Sequence, residues 1–562
     1  MSARKGFVLL LLLSALVFLA GCGSSGSGLT IGVAPPSGAF SNSNLDGTYV
    51  FSVSGTDFNG FAYAIVGTFT ANGQGGNGKG GITGGSIDMN DGGFATSTPV
   101  VAPLVDSAIS SNSTYIVGKD GRGTATLIVP ANPFGGSITL DFVLQNSFHG
   151  LVTEFDDNAT GSGTIDVVTP TPVASGSYAF SLSGSSVSSG EPFATAGNFS
   201  VGDGGSLSGL EDFNNSGLIA YPRETLSGIL VLGPSTTTFT TLDTEQFGSL
   251  TFDVYPIDST HFKFIETDNF AIQSGDAYSQ TSTAMPIGPM AFTLMGDLTG
   301  GPFAAGGFMV IDSGGTIDPT STEDYNANGN VSPAPGTFSG AWAGGGTGRY
   351  TLGTTTFVGG SSYAAYPSSG GLLLLEIDTS GITTGAAYPQ DQPVPTLAAS
   401  QGYGLNLTGI NLGASEEAQF PIEVDDIAEF TANSSGMTIT GVIDENADPE
   451  GNAGFGAPFP GIGLSGTYVV PDSNGRGQVP SATACSGSNC TLNGGFALTF
   501  YSVDGTTFPF IETDNGQVAA GVFVLQDASA TSPSLAKPHS MFVPRPPVRA
   551  NAAKRKQVLK QK

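Results

Sequence analysis

The chain has 562 residues, with Gly at 84 positions, Pro at 34, only 11% charged residues and a formal net charge of −29. Its 39% hydrophobic content excludes a disordered chain, and the lack of a Gly-X-Y period excludes collagen. Runs rich in Ala, Glu, Lys, Leu and Arg at helical spacing are missing, which excludes a helix-rich fold. What remains is an all-β protein of many short strands joined by Gly, Asn, Asp and Ser turns, with length for about three to five domains.

Residues 1–21 read as a signal peptide. Arg4 and Lys5 precede an apolar run from Phe7 to Ala20, too short for a membrane span of roughly 20 residues. The run ends in Leu19-Ala20-Gly21-Cys22. This motif resembles the lipobox of bacterial lipoproteins. The resemblance implies cleavage before Cys22, a lipid on its thiol and, with Gly23 rather than Asp next, export to the outer membrane or cell surface. Residues 22–44 are mostly small and polar and read as a flexible tether with an r.m.s. reach of about 25 Å.

From residue 45 onward the chain repeats itself, at 45–172, 173–287, 288–397 and 398–526. Each repeat opens on an alternating strand. Tyr49, Phe51 and Val53 share one face, as do Tyr178, Phe180 and Leu182, then Met290, Phe292 and Leu294, then Tyr403, Leu405 and Leu407. An Asp-x-Asn signature follows at Asp88/Asn90, Asp212/Asn214, Asp324/Asn326 and Asp444/Asn446. Three repeats then carry Gly-Arg, at Arg122, Arg349 and Arg476. All four close on Glu-x-Asp, at Glu154/Asp156, Glu266/Asp268, Glu376/Asp378 and Glu512/Asp514, and end near Val168, Gln280, Gln390 and Gln526. Each repeat predicts about seven to nine strands in antiparallel meander order. An up-and-down barrel is favoured over a two-sheet sandwich, because closure removes edges in a chain with few Lys or Pro inside its strands. The body is similar to Gly-rich β-repeat exported bacterial proteins of unknown function, a resemblance that implies no activity.

The repeat positions suggest ion pairs inside each domain, Arg122 with Glu154 and Asp156, Arg349 with Glu376 and Asp378, and Arg476 with Glu512 and Asp514. The second repeat lacks the Arg, so its Glu266 is expected to use Lys263, Arg223 or water. A catalytic carboxylate pair is the weaker reading of Glu-x-Asp, since one catalytic site needs no four copies. His149 and His261 each stand five residues before that Glu and read as turn or strand-start residues. Asp324, Asn326 and Asn328 match half of a calcium loop, but Pro335 stands where the bidentate Glu belongs, so turn-making is the stronger reading. No cofactor is expected. Cys485 and Cys490 are expected to form a local disulfide in an exported protein.

Residues 527–562 hold eight of the 17 Lys and Arg and read as a basic disordered tail. The body keeps seven basic against 45 acidic residues, which excludes nucleic acid as its partner. The expected partners are a membrane, through the N-terminal lipid, and an anionic envelope lipid or polymer, through the tail. The function expected is a non-catalytic structural, adhesin-like or binding role in the cell envelope, not an enzyme. The alternatives are a small apolar ligand carrier using barrel interiors and, third, a secreted carbohydrate-active enzyme.

Overall fold

The computed structural model describes residues 40–530, apart from 58–59, 76–77, 94–101, 134, 170–174, 217–218, 233–237, 245–247, 413–421, 448–457 and 488. The signal peptide, Cys22, most of the tether and the tail beyond Ala530 lie outside the described residues. The described chain is almost wholly antiparallel β, and among the described residues no helix is long and apolar enough to cross a membrane.

Four barrels follow one another at 46–167, 176–279, 288–389 and 402–525. Their opening strands are Asp46–Asp57, Gly176–Ser186, Gly288–Leu298 and Gly402–Asn411. Each opening strand pairs with the second strand on one side and the last on the other, which closes the sheet. Barrels 2 and 4 have eight strands. Barrels 1 and 3 carry a short ninth beside the third, Leu104–Ala108 and Asn330–Val331.

The alternating residues of the opening strands point inward. Tyr49, Phe51 and Val53 lie in one buried cluster, Tyr178, Phe180 and Leu182 in a second, Met290, Phe292 and Leu294 in a third, and Tyr403, Leu405 and Leu407 in a fourth. An eight-stranded barrel is just wide enough for side chains to fill, and aromatic rings do so here. Tyr178 meets Phe262 at 4.6 Å between ring centroids, and Phe510 meets Phe523 at 4.6 Å. In three barrels the segment ahead of the first strand adds an apolar plug to that core: Phe40 and Leu45 in barrel 1, Met285 in barrel 3 and Leu397 in barrel 4. Residues 40–44, expected within a flexible tether, are therefore docked. Phe40 is buried and its N–H donates to the carbonyl of Lys119, while Asn42 and Asn44 hydrogen-bond to barrel 1. Burying one aromatic ring outweighs the ordering of a few Gly- and Ser-flanked residues.

The opposite faces of these strands are buried as well. The first two strands of each barrel lie against the closing strands of the next: barrel 1 on 2, 2 on 3, 3 on 4, and 4 back on 1. The four barrels form a closed ring. Small outward residues such as Ser52, Ser181 and Thr293 allow the approach. At Gly306 of barrel 3 a Cβ would come within 2.6 Å of the Tyr501 ring of barrel 4, and at Gly404 of barrel 4 within 2.9 Å of Val143 of barrel 1. One apolar cluster draws residues from all four barrels, among them Val143, Tyr278, Tyr388 and Val524. The disulfide Cys485–Cys490 bridges two adjacent strands of barrel 4.

Candidate functional site

The four junctions repeat one design. Its first element is the Asn of Asp-x-Asn. Asn90 Nδ2 donates to the carbonyls of Glu266 and Ala271 of barrel 2, Asn214 Nδ2 to Glu376 and Gly381 of barrel 3, and Asn326 Nδ2 to Asp514 and Gln517 of barrel 4. Asn446 of barrel 4 completes the circle on Glu154 and Ala159 of barrel 1, at 2.8 and 2.9 Å.

The second element is the Asp of the same signature. Asp212 receives the Arg349 guanidinium on both oxygens, at 2.6 and 2.8 Å, together with the Tyr366 hydroxyl. Asp324 receives Arg476 at 2.7 and 2.8 Å with the Tyr501 hydroxyl, and Asp444 receives Arg122 at 2.8 Å. Asp88 takes the Tyr255 hydroxyl at 2.6 Å. These pairs correct the ion pairs expected within each repeat. Arg122, Arg349 and Arg476 reach back to the preceding barrel around the ring, and their partners are Asp444, Asp212 and Asp324. Arg122 also holds Asp120, two residues away.

Glu-x-Asp has a different role. Asp156, Asp268, Asp378 and Asp514 accept backbone N–H groups that shape the turn after the strand. Glu154, Glu266, Glu376 and Glu512 are buried inside their barrels. Glu266 accepts from the Ala271 N–H and from Gln273 Nε2, in place of the expected Lys263 or Arg223. Burial pushes the Glu376 carboxyl up to about 8, against the hydrogen bonds from Ser380 and Thr383, and drives Glu154, Glu266 and Glu512 well above the usual range.

The third element is the terminal Gln of a barrel. Gln280 Nε2 donates to the carbonyls of Gly348 and Pro367, Gln390 Nε2 to Asn474 and Ser502, and Gln526 Nε2 to Asp120 and Leu144. The Gly before each Arg makes this possible. Gly121, Gly348 and Gly475 have φ of +83°, +75° and +83°, and a Cβ there would lie 2.5, 2.5 and 2.1 Å from the arriving Gln amide. Barrel 1 ends in Val168 rather than Gln, and barrel 2 has no Gly-Arg turn to receive one.

That first junction has a polar cluster in their place. Lys263, 1% exposed, donates to Asp276 Oδ1 at 3.0 Å and Thr164 Oγ1 at 2.7 Å, and lies 3.7 Å from Asp166 Oδ2. His149 and His261 begin strands His149–Glu154 and His261–Glu266. They bond Asp166 and Asp276 at 2.7 and 2.8 Å, and His261 stacks on Tyr278. Burial pushes the Asp166 carboxyl up, but His149 and Lys263 outweigh it and hold it down at about 2.

The calcium reading of Asp324, Asn326 and Asn328 does not survive this geometry. Arg476 covers both Asp324 oxygens, Asn326 turns its amide to barrel 4, and Asn328 Nδ2 donates to the Gly300 carbonyl. Among the described residues no group of three or more His, Cys, Asp or Glu is placed to hold a metal.

At one end of barrel 3 there is a cavity of about 440 Å³. It lies between the segment joining barrels 2 and 3 and turns of barrels 3 and 4. Met285, Ile287, Leu372, Tyr388, Pro389 and Val503 line it, with Asp504 at its side. Ile287 is 63% exposed, high for its size and apolarity.

No family model and no curated protein matches the chain. Among solved structures it is similar to the isotype 1 transferrin binding protein B of serogroup B Neisseria meningitidis, at 12% identity and a TM-score of 0.17, covering 68% of this chain and 84% of that one. It is similar also to intact Ap-TbpB (N and C lobes), at 9% identity and a TM-score of 0.16, covering 69% and 86%. Likeness at these scores carries no inference about function.

Proposed function

We propose that the chain is a lipid-anchored protein of the bacterial cell envelope with a non-catalytic, structural or binding role. The observation that carries this reading is the use made of the recurrent motifs. Asp-x-Asn, Gly-Arg and the terminal Gln hold one barrel to the next, and Glu-x-Asp shapes turns and supplies the carbonyls that Asn grips. Chemistry-bearing residues are spent on a rigid ring, which leaves its outer strands and turns as the surface offered to partners. The anchor is tested by Cys22→Ser. This variant is expected to accumulate as an unprocessed or soluble form, while the native chain partitions with membranes and yields a lipopeptide beginning at Cys22 by mass spectrometry. Retention of a processed variant in membranes washed with about 1 M salt, to the same extent as the native chain, contradicts the anchor.

A second reading, binding of a small apolar molecule, is favoured by the cavity at the end of barrel 3. About 440 Å³ lies within the usual range for small-molecule sites. An uncharged fluorescent probe such as N-phenylnaphthylamine is expected to bind there. Ile287→Arg places a charge at the exposed rim and is expected to weaken binding about tenfold or more, with an unchanged melting temperature. Equal binding by the variant removes this reading.

A further inference from the structure

Of the three lysines among the described residues, Lys79 and Lys119 are exposed, whereas Lys263 is 1% exposed. Lys263 stands in the middle of strand His261–Glu266 of barrel 2 and pairs directly with Asp276 on the closing strand Ala271–Ser279. On the strand at its other side it pairs with Tyr255. Its side chain lies on the outer face of barrel 2, at the junction with barrel 1. Nζ is 3.0 Å from Asp276 Oδ1, 2.7 Å from Thr164 Oγ1 and 3.7 Å from Asp166 Oδ2. His261 Nε2 is 2.8 Å from the same Asp276 Oδ1, and its ring lies flat on Tyr278 with centroids 4.5 Å apart.

An amine and a carboxyl held in contact and away from water are placed to form an amide. We propose that Lys263 Nζ condenses with the Asp276 carboxyl, giving an isopeptide bond between the last two strands of barrel 2. A bond forms between Nζ and Asp276 Cγ, and the bond from Cγ to one carboxyl oxygen breaks. Of the three protons on the ammonium, one stays on the amide nitrogen and two leave with that oxygen as water. Nothing is oxidised or reduced, and no co-reactant is needed.

The neighbouring groups suit that step. Asp166 Oδ2 is placed to take a proton from Nζ, which frees the nitrogen lone pair for attack, and to pass it to the departing oxygen. The His261 N–H faces the Asp276 oxygen on which negative charge gathers as Cγ becomes tetrahedral. His149, 2.7 Å from Asp166 Oδ1, holds the Asp166 carboxylate in place. The fold supplies the proximity, since groups fixed in contact react as if one were present at about 100,000 M or more. Condensation also replaces two buried charges by a neutral amide, and Asp166 keeps its hydrogen bond to His149, so no charge is stranded. The product staples together the two strands of barrel 2 that lie against the second strand of barrel 1. This is the junction where the terminal Gln and the Gly-Arg turn of the other junctions are missing.

The test is peptide mass spectrometry on the full native chain, denatured and digested with trypsin after folding. Between Arg223 and Arg349 the sequence offers trypsin no site except Lys263. An acylated lysine is not cut, so residues 224–349 are expected as one peptide lighter by one water, with fragmentation assigning Lys263 and Asp276 as the joined pair. Asp276→Ala is expected to restore cleavage after Lys263, a readout that does not depend on the variant folding. Asp166→Asn keeps both reacting groups. In chains sampled at intervals after synthesis it is expected to slow joining by about 100-fold or more. Complete cleavage after Lys263 in the native chain, with peptides 224–263 and 264–349 at full mass, overturns the proposal and leaves Lys263 in an ion pair. Joining of Lys263 to Asp166 overturns the choice of Asp276, and an unchanged rate in Asp166→Asn overturns the role given to Asp166.

Discussion

The body is expected to lose stability as pH rises from about 4 to about 8. Burial pushes the carboxyls of Asp88, Glu376 and Glu429 up to about 8 and those of Glu323 and Asp141 to about 7. The folded chain keeps these protons in a range where the unfolded chain, with carboxyl pKa values near 4, has released them. Their contribution is complete below about pH 4 and falls as pH climbs through the folded values. A group moved from 4.5 to about 8 contributes on the order of 4–5 kcal/mol across that window. Asp166, held at about 2, acts in the opposite sense. Its contribution is present above about pH 4 and is lost as pH falls through 2. The melting temperature is therefore expected to drop by on the order of 10 °C between pH 5 and pH 8. Glu376→Gln keeps the shape and removes the titration, so its melting temperature should depend less on pH than that of the native chain. Identical pH slopes for the two proteins contradict the assignment.

Arg349→Gln is expected to destabilise the body by about 3–5 kcal/mol, the usual cost of leaving a buried charge without its partner. Asp212 is fully buried and has both oxygens on the guanidinium. Arg349→Lys should recover only part of the loss, because an ammonium cannot reproduce the planar two-point contact. The partner is identified by a double-mutant cycle in urea. Coupling is expected with Asp212→Asn in barrel 2 and not with Asp378→Asn in barrel 3. Coupling to Asp378 would restore the pair within one repeat and contradict the junction.

Sequence periodicity carried the barrels well. Tyr178, Phe180 and Leu182 alternate because their face fills a closed interior, and the same alternation recurs in each opening strand. What periodicity could not show was the fate of the other face. Ser181 and Ser183 look solvent-facing in a single strand, yet both are buried against barrel 3. The scarcity of charge was the available hint, since solvent-facing strands ordinarily carry Lys and Glu. Partner choice was hidden for a similar reason. Arg349 and Glu376 sit in one repeat, whereas Asp212 lies 137 residues earlier, and spacing within a repeat says nothing about the next. One trace was legible: the repeat ending in Val168 rather than Gln precedes the repeat without Gly-Arg. That coincident loss marks Gly-Arg as the socket for the preceding Gln. The Tyr hydroxyls on Asp88, Asp212 and Asp324 left no comparable trace, because Tyr255, Tyr366 and Tyr501 resemble ordinary strand aromatics.

Closure of the ring is the claim on which the rest depends, since it alone places Asp444 on Arg122 and Ala528 beside Asn44. Small-angle X-ray scattering of the chain from residue 35 to residue 530 tests it most directly. A closed ring of four barrels gives a radius of gyration of about 23–25 Å and a single compact distance distribution. An open row of the same barrels, each about 13 Å in radius of gyration and spaced about 30 Å apart, gives about 35 Å with an extended tail. The ring predicts the smaller value, and Arg122→Gln combined with Asn446→Ala should move the profile towards the larger. A native value near 35 Å contradicts the ring.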